Sequence, residues 1–137
     1  MERIRISLSR LPVWLFSIVT ILVILWLTLA PRPLGEESPK LFPGADKVVH
    51  GIMFGYLTIM MALDWQRKHH WKIVYPRRVF LGATLSALLG ILIEFAQESM
   101  NMGRGFEYAD MAADTIGAFV FAFLWILLQK FWTNNPN

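Results

Sequence analysis

The chain has 137 residues, of which 55% are hydrophobic, 14% aromatic and 17% charged, and its thirteen Lys and Arg against ten Asp and Glu leave a net charge of +3; its mean hydropathy is +0.46. Soluble domains run nearer ~25% charged and ~45–50% apolar, so these figures exclude disorder and argue against an ordinary soluble fold. The basic residues form no single stripe that would suit nucleic acid, and the absence of cysteine excludes disulfides, thiolate metal sites and thiol catalysis.

In chain order, residues 11–30 form the first apolar run, twenty residues without a charge, which at ~1.5 Å per residue covers the ~30 Å hydrocarbon thickness. A secretory signal has a shorter apolar core of ~7–15 residues, and Thr28-Leu29-Ala30 followed by Pro31 is a poor cleavage site, so the run is read as an uncleaved helix. Pro31, Pro33, Pro39 and Pro43, with Gly35 and Gly44, make the next stretch a turn-rich connection. Three further spans are expected at about 47–63, 79–97 and 111–129. They carry His50, Glu94 and Asp114 near their ends, where a polar group is tolerable if it faces protein. The expected fold class is all-α, a four-helix integral membrane bundle forming one domain over residues 1–137.

The positive-inside rule orients it. Residues 1–10, the expected loop 64–78 and the tail carry nine Lys and Arg, whereas the connections on the other side carry Arg32, Lys40, Lys47 and Arg104. Both termini are therefore expected in the cytoplasm. Trp65, Trp71 and Tyr75 alternate with the cations of the 64–78 loop, a composition that places it on the inner leaflet.

Small residues mark close helix approaches. Gly51 and Gly55 are four apart in the second span, and Gly82, Ser86 and Gly90 continue the same step in the third, on a stripe that runs into Glu94 and Glu98. Three pairs share one spacing: Asp46 with His50, Glu94 with Glu98, and Asp110 with Asp114. In each, one member lies near the outer interface and the other one turn, about 6 Å, deeper. His50, Glu94 and Asp114 are thus expected at similar depth on three helices, with Gln97 extending the Glu94 face and Arg104 as the expected partner of Glu94 or Asp114. Six acids, Asp46, Glu94, Glu98, Glu107, Asp110 and Asp114, against Lys47 and Arg104 make an acidic excess that favours a cation or amine over a bare phosphate. No ligand spacing such as HExxH is present, so neither a metal nor a cofactor is expected. Glu94 and His50 are the candidates for acid/base chemistry. There is no nucleophile elbow, and Ser86 reads as a packing residue.

Asp46-Lys47-Val48-Val49-His50 opening one span, Glu94-Phe95-Ala96-Gln97 closing the next, and Arg104-x-Phe106 followed by Asp110 and Asp114-x-x-Gly117 opening the last together resemble the VanZ-like family. The resemblance covers most of the chain and implies a multi-pass protein of the bacterial cytoplasmic (inner) membrane; the family's named member is associated with low-level resistance to the glycopeptide teicoplanin. The family's characteristic polar residues fall on Asp46, Lys47, His50, Glu94, Gln97, Arg104 and Asp110. Asp114, where the family more often has Asn, and Gly51, where an aromatic is common, depart from its pattern.

Three functions are open at this point. One is a cell-envelope protein whose outward-facing polar pocket engages an envelope lipid or a glycopeptide and lowers susceptibility to lipid-tailed drugs. The second is a small membrane enzyme acting on a lipid-linked or cell-wall substrate. The third is a structural subunit that pairs with a partner, or with a second copy in a homo-oligomer, through its glycine faces. The lipid bilayer is the one partner that all three require.

Overall fold

The structure, a computed structural model, describes residues 8, 10–30, 42–100 and 107–134, with side chains through 130. Its helices are α1 (Leu15–Leu29), α2 (Ala45–Lys68), α3 (Pro76–Met100) and α4 (Tyr108–Asn134), and no strand occurs among the described residues. The protein is an all-α four-helix bundle, and α2, α3 and α4 are each long and apolar enough to cross a membrane.

Contacts between helix ends define the topology. Ser17 of α1 meets Asp64 near the end of α2, Lys47 near the start of α2 meets Glu107 and Asp110 at the start of α4, and Glu94 near the end of α3 meets the Glu107 backbone. The helices therefore alternate in direction. One end of the bundle carries Asp46, Glu94 and Asp110, and the other carries Asp64, Arg67 and Gln129. Among the described residues the most extensive interface is between α2 and α4, and α1 packs on α2 and α3.

The first helix departs from the sequence expectation. It has 15 residues rather than the twenty expected over 11–30, about 22 Å at 1.5 Å per residue, and is shorter than the other three. Both ends have a local cause. Ala30 precedes Pro31, which disfavours helical geometry, and it is extended at φ −72°, ψ 137°. At the start, the carbonyls of Leu11 and Pro12 accept hydrogen bonds from the Arg67 guanidinium, at 3.0 and 3.3 Å. Trp14 takes a left-handed conformation at φ 68°.

The expected 64–78 loop also contracts. Helix α2 continues to Lys68 and α3 begins at Pro76, a residue suited to a first helical position because its missing N–H has no intrahelical partner there. Asp64 and Arg67 belong to the helix and are buried, 1% and 6% exposed.

The packing is that of a membrane bundle. Ile18, Val19, Leu22 and Val23 on α1, Leu85, Leu88 and Leu92 on α3, and Ile116, Val120 and Phe123 on α4 point outward, while Ser17, Thr28, Thr58, Ser86 and Gln129 are buried. Lipid is as apolar as a protein core, so helix association depends on close backbone approach and on hydrogen bonds between or within helices. Gly51 and Gly117 supply that approach: a Cβ on Gly117 would collide with the Gly51 carbonyl, and one on Gly51 would lie 3.2 Å from the Ala113 oxygen. Ser86 Oγ donates to the Phe54 carbonyl at 2.8 Å, a packing role.

Candidate functional site

At the Asp46 end, three helices contribute polar side chains to one cluster. Helix α2 brings Asp46, Lys47 and His50 from its first two turns, and α4 brings Asp110 and Asp114 from its own. Acidic residues suit the positive end of a helix dipole, so Asp46 and Asp110 are also placed well locally. Helix α3 arrives from the opposite direction and brings Glu94.

The cluster has two layers. In the outer one, Lys47 Nζ lies 2.6 Å from Asp46 Oδ2, 2.6 Å from Glu107 Oε2 and 3.0 Å from Asp110 Oδ1, so a single ammonium is shared by three carboxylates from both parallel helices. In the inner one, His50 Nδ1 lies 3.0 Å from Asp114 Oδ1. Glu94 Oε2 accepts the Glu107 backbone N–H at 3.2 Å, which ties the end of α3 to the start of α4. Glu94 and Asp114 are each 1% exposed, and one oxygen of each, Glu94 Oε1 and Asp114 Oδ2, has no hydrogen-bond partner among the described residues. An unpaired buried carboxylate oxygen is costly, so it marks either a functional constraint or a missing partner.

Close packing sets this geometry. Asp114 sits against Gly90 of α3, where a Cβ would lie 2.5 Å from Asp114 Oδ2. Any larger residue at 90 would collide with the Asp114 side chain, the group that holds His50.

Of the residues singled out from the sequence, Asp46, Lys47, His50, Glu94, Asp110 and Asp114 come together. Gln97 does not join them. Three positions on a helix rotate it by about 60° from Glu94, and its Nε2 donates to the Thr28 carbonyl of α1 at 2.8 Å. Glu98 is exposed, so the expected Glu94–Glu98 stripe ends at Glu94. Arg104, the expected cationic partner, lies outside the described residues. Glu107 joins the cluster through both its side chain and its backbone, three residues ahead of Asp110 on the same helix start.

A second buried network, at the opposite end, was not legible from the sequence. Arg67 Nη1 donates to Asp64 Oδ1 at 2.6 Å, Asp64 Oδ2 accepts from the Ser17 backbone N–H and from Ser17 Oγ at 2.8 Å each, and Arg67 also reaches the Leu8, Leu11 and Pro12 carbonyls. Arg67 further lies 4.4 Å over the Phe16 ring. Every oxygen of Asp64 is engaged, so this network fastens α1 to α2, whereas the Asp46-end cluster retains carboxylate oxygens with no partner among the described residues. The only sequence signal for it was the i, i+3 spacing of two opposite charges at a span's end, which a solvated loop shares.

A family model described as VanZ/LLP1 matches residues 13–129, most of the chain, and the protein belongs to that family. No curated protein and no solved structure matches the chain.

Proposed function

We propose that this VanZ-family membrane protein is a multi-pass protein of the bacterial cytoplasmic membrane, with both termini in the cytoplasm and the Asp46-end cluster facing outward as a binding site for an envelope component. The observation that carries the reading is the pair of buried carboxylates, Glu94 and Asp114, each with one oxygen that no other described residue satisfies. Ionisable groups at membrane depth mark function by default, and bonds in such networks contribute only ~0.6 kcal/mol each on average, too little to explain the cluster by stability. The Arg67 end, rich in Lys and Arg with Trp65 and Tyr75, suits the anionic inner leaflet.

By the family resemblance, the consequence of occupancy at this site is lowered susceptibility to lipid-tailed glycopeptides such as teicoplanin. The experiment is drug susceptibility of a sensitive host expressing wild type, Glu94→Gln or Arg104→Ala at matched membrane abundance, with vancomycin as the tail-less comparison. Protection by wild type alone, stronger against teicoplanin, is the expected result. Equal behaviour of all three chains refutes the reading.

A second reading is favoured by the His50–Asp114 pair. A carboxylate that orients a histidine through Nδ1 leaves Nε2 as a base, the arrangement used to activate a hydroxyl or water. The protein would then act on a lipid-linked or cell-wall substrate, with Glu94 as acid. A changed lipid or muropeptide profile that is lost in His50→Gln supports it, and identical profiles with and without the protein exclude it.

A further inference from the structure

We propose that His50, Glu94 and Asp110 form a binding site for one first-row divalent metal ion of the Zn2+ or Mn2+ type. One donor atom from each residue lies within 4.8 Å of the donor atoms of the other two. Two ligands on opposite sides of an ion, each at ~2.0–2.6 Å from it, are separated by about this distance, so the three groups already surround a space of the right size. They come from three different helices, which is why no ligand spacing was legible in the sequence.

Three observations converge on this space. First, Asp114 Oδ1 holds His50 Nδ1 at 3.0 Å, which turns the other ring nitrogen into a lone-pair donor. A carboxylate behind a histidine is the usual support for a metal-bound imidazole. Second, Glu94 is 1% exposed, and its Oε2 is occupied by the Glu107 N–H while its Oε1 has no partner among the described residues. A cation in reach of that oxygen removes the cost of burying it unpaired. Third, the neighbouring outer trio, Asp46, Glu107 and Asp110, is clustered as closely and already contains a cation, the Lys47 ammonium. The inner trio has the same kind of cradle, shares Asp110 with the outer one, and has a histidine where the outer one has a third carboxylate. An imidazole with carboxylates suits borderline divalent ions better than Mg2+, which prefers oxygen donors and water.

The inference rests on the cluster being a ligand site, as proposed above, but not on drug resistance or catalysis. Its test is metal content of the full chain purified in detergent, stripped with chelator and re-equilibrated with Zn2+, Mn2+ or Mg2+. Wild type is expected to retain about one Zn2+ or Mn2+ per chain and to melt at a higher temperature when either is added, because an ion that binds only the folded state stabilises it. Glu94→Gln and His50→Gln are expected to weaken binding at least ~10-fold, while Glu98→Gln, an exposed acid outside the cluster, binds as wild type does. Co2+ absorption of the wild type gives a check that needs no variant: visible d–d bands altered by protein ligation are expected, and their absence opposes the site. Retention of less than about a tenth of an equivalent by folded wild type overturns the proposal. Equal binding by wild type, Glu94→Gln and His50→Gln overturns it too. Loss of metal binding in variants that still protect cells would separate the metal from the resistance reading, and metal binding by a chain that protects against nothing would do the converse.

Discussion

His50 Nδ1 and Asp114 Oδ1 are 3.0 Å apart although 64 positions separate them in the chain. The contact joins the second turn of α2 to that of α4, and directly beneath it Gly51 meets Gly117 backbone to backbone. One glycine pair therefore decides whether the two polar residues can meet.

That relationship predicts a steep response at Gly117 and a mild one at Gly82. Gly117→Ala drives a methyl into the Gly51 carbonyl, and overpacking of this kind costs ~1–3 kcal/mol. Gly82→Ala meets only Met61, with its Cβ at 3.6 Å, an ordinary contact, so the helix gains from losing a flexible residue, by about 0.5–1 kcal/mol. Unfolding midpoints of the two variants in mild detergent should move in opposite directions. A shared direction would mean that the α2–α4 contact is not as close as described.

The His50–Asp114 contact itself should show coupling. A double-mutant cycle with His50→Ala and Asp114→Ala, read as unfolding free energy, is expected to give an interaction of about 0.6–1.7 kcal/mol, the range for polar contacts between membrane helices. Strict additivity would argue against a contact.

At the other end, Arg67 and Asp64 have side chains 3% and 0% exposed. Removing one partner of a buried pair leaves an uncompensated charge, so Arg67→Met should cost about 3–5 kcal/mol, whereas Lys72→Met on the exposed connection should stay within ~0.5 kcal/mol. The double change Asp64→Leu with Arg67→Met is expected to be milder than Arg67→Met alone. If it is worse than both single changes, the network contributes more through its hydrogen bonds to the Leu8, Leu11 and Pro12 carbonyls than through charge pairing.

Orientation has a direct readout because the chain has no native cysteine. A single cysteine at Lys72, on the exposed α2–α3 connection, should resist a membrane-impermeant maleimide in intact cells, and one at Tyr108, 79% exposed at the start of α4, should react. The reverse pattern would place the Asp46-end cluster in the cytoplasm and remove the basis for an envelope ligand.

The composition and apolar runs were sufficient to determine an all-α membrane protein with four helices, because a long continuous apolar run satisfies its own backbone in lipid as a helix, whereas a barrel strand is shorter and alternates. The four-residue repeats of glycine and acid likewise placed Gly51, His50, Glu94 and Asp114 on interior faces, since residues one turn apart share a face wherever the helix is packed. Tertiary structure decided the rest. Three positions were enough to carry Gln97 from the Glu94 cluster to the Thr28 carbonyl on α1. Asp64 and Arg67 had the composition of a solvated loop, and only the arrival of Ser17 and the Leu11 and Pro12 carbonyls made them a buried pair inside a longer helix. The meeting of His50, Glu94 and Asp110 depends on the relative depth of three helices. That depth is set where Gly51 meets Gly117 backbone to backbone and where the Asp114 side chain fits against Gly90; the glycine spacing marks those faces but does not say which partner each one meets.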